Sequence, residues 1–396
     1  MVRQAVIVDV VRSPFGRARE GGALVSLHPV NLYAHVLAAL VERNQLEPEL
    51  IDDVITGCVI QVGEQSGNIG RQAVLAANFP ESVPALTIDR KCGSAQQALD
   101  FAAQGVIAGA YDVVIAGGVE MMSLVPVRVN RMGKDNEGSE FHRRYPEGLV
   151  RQGISAELIA AKWDIDRETQ DRYSLRSHQR AAADRDDTTR DIAPIDVEQS
   201  DGTTMTVSED EGIRANSSME KLTSLKPAFE NAKMTERFPH IRWSVTAGSA
   251  SQITDGASAV LVMEASFAER LGLTPRAAVT HFAVAGDDPV MMLTGVIPAT
   301  SKLLQRASLS IDDIDAFEVN EAFASVPLAW QKEFHTDPER LNVYGGAIAI
   351  GHPVGASGGR LSANLLRALE QNNGRYGLQT MCESGGMANA TLIERI

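Results

Sequence analysis

Cysteine is scarce in this chain: 396 residues include only Cys58, Cys92 and Cys382. Three thiols make no disulfide framework, and their spacing matches no structural zinc pattern, so reduced thiols in a reducing compartment are expected. No apolar run approaches the roughly 20 residues that cross a bilayer, so no membrane partner is expected. Positive charge is also in deficit, with 37 Lys and Arg against 51 Asp and Glu, a formal charge of −14. A general nucleic-acid binder needs a basic face, so that class is excluded. The opening "MVRQAVIVDVVRSPFG" reads as a strand entering the fold directly, with no signal-peptide pattern. A cytoplasmic location is the expectation.

What is present is an ordinary globular balance, 44% hydrophobic and 22% charged, in a chain long enough for two or three domains. Residues 1–120 alternate strand patterns ("QAVIVDVV", "DVITGCVI", "VPALTID", "DVVIAGGVE") with helix patterns ("NLYAHVLAALVERN" and the stretch after Cys92). That alternation predicts an α/β fold with a largely parallel sheet. Cys58, inside an apolar run, reads as a small buried hydrophobe. Residues 121–246 carry more charge and few strand signals, apart from a helical stretch "SAELIAAKWDIDRETQDRYSLRSHQRAAA" in which Asp166 and Glu168 suit a helix start. Within it, Arg128, Arg131, Lys134, Arg143, Arg144 and Arg151 face only four acids, a pattern that suits a phosphate site or a solvated contact loop equally. The division expected is an N-terminal α/β half (1–120 with 247–270), an inserted covering domain (121–246) and a C-terminal α/β half (271–396).

The last section resembles the first in outline. "LNVYGGAIAIGHPVGASGGRLSANLLRALEQNNGRYGLQTMCESGG" and "VPALTIDRKCGSAQQALDFAAQGVIAGAYDVVIAGG" each run strand, turn, helix, strand, Gly-Gly. Cys92 occupies in one unit the strand-to-helix turn that His352 occupies in the other. If the halves pack about a pseudo-dyad, a thiol meets an imidazole. A helix start with Arg90 and Lys91 nearby is expected to favour the Cys92 thiolate, with a histidine as base. "FEVNEAFAS" offers Asn320 to hold a water at an oxyanion, whereas Glu321 reads as a structural hydrogen-bonding group. "MCESGGMANA" places Cys382 at a strand end, where a thiol suits proton transfer at carbon. Two thiols, an imidazole and an amide suggest covalent acyl transfer coupled to proton transfer at an α-carbon.

These four blocks, with "VVRSPFG" and "SVTAGSASQITDGASA", together resemble the thiolases, the acyl-CoA:acetyl-CoA C-acyltransferases, across essentially the whole chain. The resemblance implies duplicated α/β halves in a layered αβαβα core, a homodimer or homotetramer, and coenzyme A as a co-substrate with no permanently bound cofactor or metal. It implies that Cys92 is acylated by a 3-ketoacyl-CoA while His352 takes its proton, and that Cys382 protonates the departing acetyl-CoA enolate. One oxyanion hole is implied at His352 and an Asn320-held water, the other at the backbone N–H groups of Cys92 and Ser384. Arg214 and Ser251 are the implied coenzyme A contacts, Arg214 beside the adenine.

The chain departs from the family pattern in two places. Many thiolases read Cys-x-Gly-Gly-Gly where this chain has Cys382-Glu383-Ser384-Gly385-Gly386. An oxyanion donor needs only the Ser384 N–H, provided its φ is negative. Biosynthetic short-chain thiolases often carry His-Met-Gly where this chain has Arg151-Gln152-Gly153. That difference favours the degradative branch, including enzymes of bulky or sterol acyl chains, over a biosynthetic acetoacetyl-CoA thiolase. A ketoacyl synthase would lack the second cysteine. A non-catalytic acyl-CoA or lipid-binding relative would lack at least one catalytic residue. A zinc site from Cys92, His352 and Cys382 suits the glycine-rich turns less well than acyl chemistry.

Overall fold

A computed structural model describes residues 2–184, 191–199 and 201–396; Met1, residues 185–190 and Ser200, which fall inside the assigned N-terminal and inserted segments, lie outside the described residues. The chain opens with β1 (Ala5–Arg12), β2 (Gly16–Arg17), α1 (Pro29–Arg43), β3 (Asp53–Gly57), α2 (Ile69–Ala76), β4 (Ala85–Ile88), α3 (Ser94–Ala108) and β5 (Val113–Met121). The middle carries α4 (Gly138–Arg144), α5 (Gln152–Lys162), α6 (Arg167–Ala183), the hairpin β6 (Ile195–Glu198) and β7 (Thr204–Val207), α7 (Met219–Thr223) and α8 (Ala232–Arg237). Next come β8 (Thr254–Glu264), α9 (Ala265–Arg270), β9 (Ala277–Gly286), α10 (Val296–Ala307), β10 (Ala316–Val319) and α11 (Ser325–Phe334). The chain closes with α12 (Ser357–Asn372), β11 (Tyr376–Glu383) and β12 (Met387–Arg395).

The main strands run in the order β10-β11-β12-β9-β1-β8-β5-β3-β4. Only two residue pairs, Val6 with Ala278 and Ile7 with Ala277, join β1 to β9 at the middle. Dividing the sheet at this seam exposes the repeat. One half runs β4-β3-β5-β8-β1, and the other runs β10-β11-β12-β9 with Leu341 beside Phe317 of β10 as a single parallel bridge. Strand for strand the order is the same. The strand expected at "LNVYGG" shrinks to that one bridge, because Gly345 at φ +75° turns the chain against Ser177 and Ala181 of α6.

The sheet is mixed rather than largely parallel. β3–β4, β3–β5 and β10–β11 are parallel, but β8 and β12 return antiparallel beside β5 and β11. For β12 the return is a three-residue turn, too short for the crossover that a parallel neighbour requires. The β6–β7 hairpin went unread in the charged middle segment, although Ile195 and Val197 alternate with exposed neighbours as a half-buried strand should. The long helical stretch there is two helices, and the Asp166 side chain caps the second by accepting from the Thr169 N–H at 2.8 Å.

α3 and α12 form the middle layer. α12 is buried at every residue from Ser357 to Leu369, and α3 over most of its circumference, as a helix between two sheets must be. Their approach is at backbone distance: a Cβ on Gly358 would lie 2.2 Å from the Gln96 nitrogen, so only glycine fits. This contact brings the starts of both helices, and the turns before them, to one place.

Candidate active site

Cys92 lies in the tight link between β4 and α3. Lys91 adopts φ +49°, and the Ser94 hydroxyl closes the turn by accepting from the Arg90 N–H (2.9 Å) and donating to the Lys91 carbonyl (2.6 Å). Gly93 follows, where a Cβ would lie 2.3 Å from Glu383 Oε1. The thiol is buried with Leu361, Met381 and Val354, so residues of the His352 turn, α12 and β11 pack around Cys92.

His352 occupies the equivalent turn. Gly351 before it has φ +114°, and a Cβ there would meet the Thr254 side chain at 2.5 Å. The His352 N–H is held by the Gln252 carbonyl (3.1 Å) and the Thr254 hydroxyl (3.0 Å). The Ser357 hydroxyl donates its one hydrogen to the Pro353 carbonyl at 2.9 Å, so its 2.6 Å contact with Nδ1 makes the imidazole the donor there. That fixes the tautomer, with Nε2 bare. Asn320, at the end of β10, donates its amide N–H to Nε2 at 3.3 Å, which agrees.

The Asn320 amide is itself oriented. Buried Arg360 of α12 places one guanidinium nitrogen 3.0 Å from Glu318 Oε2 and another 3.5 Å from Asn320 Oδ1. Its neighbour Glu321 accepts from Tyr173, Ser177, Asn342 and the Ile348 N–H, the structural role read from the sequence.

Cys382 lies on β11 opposite Ala388, fully buried. Burial first, and then the charge of nearby Cys92, hold its pKa well above the ordinary thiol value. Cys382 therefore lies near Cys92, Asn320 is bonded to His352, and the His352 turn reaches Cys92 through Val354. The β11–β12 turn beside them has left-handed Gly385 and Gly386 (φ +98° and +77°), and Ser384 is absent from the residues with positive φ.

The electrostatics correct one expectation. Burial, then the Glu383 carboxylate, push the Cys92 thiol up to about 12, and Lys91 opposes them only weakly. Lys91 is engaged with Asp89 at 2.5 Å. Burial, then the Arg360 guanidinium, press His352 down to about 3. The resting pair is a neutral thiol and a neutral imidazole, not an ion pair.

Arg214 and Ser251 stand apart. Among the described residues no hydrogen bond links either to the four. The Arg214 backbone N–H donates to His178 Nδ1 at 3.1 Å, and its side chain is destabilised as a cation by burial and then by Arg17 and Arg19. The Ser251 N–H donates to the Ala322 carbonyl at 2.9 Å, two residues beyond Asn320. Cys58 is buried in the core beside β3. Among the described residues, the group with metal-ligand spacing is Asp135, Glu137 and His142, and it includes none of the three cysteines. No helix among them is long and apolar enough to cross a membrane. An open cleft of about 660 Å³ adjoins the β11–β12 turn, lined by Phe141, Tyr145, Leu149, Pro289, Gly385 and Gly386.

Sequence reasoning missed Ser357, Arg360 and Glu383. Two glycines before Arg360 signalled a close helix contact, but nothing marked which polar residues would be buried by it.

Comparison with known proteins matches residues 5–266 to the thiolase N-terminal domain and residues 273–395 to the thiolase C-terminal domain. The chain is 45% identical to a steroid 3-ketoacyl-CoA thiolase of Mycobacterium tuberculosis, covering 100% of this chain and 95% of that protein. It is 42% identical to a 3-ketoacyl-CoA thiolase of Cronobacter sakazakii, covering all of both. The crystal structure of the Bacillus anthracis acetyl-CoA acetyltransferase superposes with a TM-score of 0.88 at 36% identity, covering 100% of this chain and 99% of that one.

Proposed function

The chain belongs to the thiolase family, and on that premise we propose that it is a 3-ketoacyl-CoA thiolase working in the degradative direction. Cys92 Sγ attacks the 3-keto carbon as its proton passes to the bare Nε2 of His352. Both groups start neutral, so the transfer belongs to the attack itself rather than to a standing thiolate. The imidazolium formed, disfavoured by burial and by Arg360, donates its new Nε2–H to the developing oxyanion, beside the Asn320 amide. Collapse breaks the C2–C3 bond, leaving the acyl group on Cys92 and an acetyl-CoA enolate, whose C2 takes the proton of Cys382. Coenzyme A then gives its thiol proton to Cys382 and attacks the acyl-Cys92 carbonyl; collapse breaks the bond to Cys92 Sγ, which takes back its proton from the His352 imidazolium as the shortened acyl-CoA leaves. The backbone N–H groups of Cys92 and Ser384 receive that carbonyl oxygen.

The observation that carries this reading is the bare Nε2 held by Ser357 and Asn320, on a turn whose Val354 packs against the buried Cys92 thiol. In the same reading residues 121–246 form the covering domain and Arg214 and Ser251 contact coenzyme A, which comes and goes as co-substrate. The working form is a cytoplasmic homodimer or homotetramer. The deciding experiment is intact-protein mass spectrometry with short, long and sterol-like 3-ketoacyl-CoAs and no free coenzyme A, on wild type and Cys92→Ala. An adduct on wild type alone identifies the nucleophile, and the best-labelling chain gives the substrate class. Folded wild type with no adduct from any member rejects the enzyme reading.

A further inference from the structure

The two departures from the family pattern, at position 152 and position 384, are the two ends of one hydrogen bond. Gln152 Nε2 donates to Ser384 Oγ at 2.8 Å, across 232 residues of sequence. Ser384 opens the turn that joins β11 to β12, and the next two residues are left-handed glycines, the most permissive backbone available. The far side of the turn is anchored, with the Gly386 carbonyl accepting from the Asp287 N–H at 2.7 Å. Its near side is anchored through the serine hydroxyl to Gln152.

Gln152 is a firm post. It is the first residue of α5, and that helix is fastened to three other segments. The Glu157 carboxylate accepts from the backbone N–H groups of Ser244 (2.9 Å) and Val245 (2.8 Å). The Ala156 carbonyl accepts from the Ser325 hydroxyl at 3.0 Å, and the Ser155 hydroxyl donates to the Met291 carbonyl. Gly153 packs so closely on Phe229 that a Cβ there would lie 2.2 Å from the ring. The amide of Gln152 therefore arrives at the turn from a rigid frame.

We propose that Gln152 is a positioning residue, which through the Ser384 hydroxyl aims the Ser384 backbone N–H at the carbonyl oxygen of the acyl group on Cys92. The proposal rests on the thiolase reading above. A donor aimed by a fixed brace assists charge development only in the step where that oxygen becomes anionic, so its loss falls on turnover rather than on binding. The step concerned is acyl-CoA plus the Cys92 thiol giving acyl-Cys92 plus coenzyme A, and its reverse. Proton transfer at the α-carbon uses the Cys382 thiol, which lies on β11 and is not a partner in the brace.

The test compares wild type, Gln152→Met, Ser384→Gly and the double variant. Two reactions are followed: exchange of labelled coenzyme A into acyl-CoA, and deuterium uptake at the α-carbon of acetyl-CoA. With a donor misaimed rather than removed, Gln152→Met should slow coenzyme A exchange by about ten-fold, less than the 10²–10³ for losing a donor outright. Its KM and deuterium uptake should stay within about two-fold of wild type. Ser384→Gly should lose about as much, and the double variant should be no slower than either single variant, because all three remove the same one brace. Equal exchange rates in Gln152→Met and wild type, parallel losses in both reactions, or single losses that multiply in the double variant would each overturn the proposal. Wild type that exchanges no coenzyme A would instead reject the underlying function.

Discussion

The two halves of this molecule share a strand order but load their central helices with opposite kinds of ionisable side chain, an acid in α3 and arginines in α12. α3 of the first half carries buried Asp100, near Glu383 of β11 from the second half, and burial lifts both carboxyls to about 8. α12 of the second half carries buried Arg360 and Arg367. Each reactive group therefore meets the charge that discourages its own ionisation. Cys92 faces acids, and His352 faces a cation. Duplication supplied one turn before one helix twice, and the chemistry came from how the surroundings diverged. What this teaches is that the proton stays on sulfur until substrate gives it a reason to move.

The strongest way to break the comparison is to remove the base on the α12 side. His352→Gln keeps a hydrogen-bonding side chain but no titratable nitrogen, and kcat for thiolysis should fall about 10³-fold, within the usual range for losing a general base. A fall of less than ten-fold in steady-state assays would mean that another group takes the Cys92 proton. Arg360→Met tests the cation. It leaves the Glu318 carboxylate buried without its guanidinium, and should cost about 3–5 kcal/mol in a denaturant titration. In protein that still folds, the His352 pKa should rise, because the repelling cation is gone; an unchanged imidazole titration by NMR would refute that.

Ser357→Ala sharpens the comparison at the tautomer. With no acceptor at Nδ1, the proton redistributes between the ring nitrogens and kcat should fall about ten-fold. KM should hold, and equal kcat in mutant and wild type would show that Asn320 alone sets the tautomer.

The smallest expected effect lies on the acid side and depends on pH. Glu383 is mostly protonated below about pH 8 and exerts its charge on Cys92 only above that. Glu383→Gln and wild type should therefore react alike with iodoacetamide at pH 6.5. Above pH 8 the variant should label Cys92 faster, by up to about ten-fold, since one pKa unit is a factor of ten in thiolate. Curves that stay parallel across pH 6–10 would remove Glu383 from the account.

Much of this was legible in the sequence, because the signals were local. The period of Ala95, Ala98, Leu99, Ala102 and Val106 marked α3, and the glycines around His352 and Cys382 marked turns where backbone must approach closely. The electrostatic sign at Cys92 was misread for a physical reason. Arg90 and Lys91 are its neighbours in the chain, whereas Glu383 is brought to it only by folding. Arg360, in "GGRLSANLLRALE", carries no local sign of burial, yet it is fully buried, because its partners Glu318 and Asn320 of β10 are brought to it only by folding. Periodicity reports which face of a helix is apolar. A helix buried on every side has no such face to report.

The neutral state of the nucleophile also bears on its survival. Oxidation by peroxide begins at thiolate, and so does disulfide exchange. Cys92 and Cys382 are neighbours, buried and held well above the ordinary thiol pKa, so both lack the form that oxidants attack. A conventional ion-paired cysteine would be reactive at rest and vulnerable for the same reason. Here the arrangement that delays proton transfer until an acyl-CoA arrives also disfavours, in the empty enzyme, the thiolate that oxidants attack.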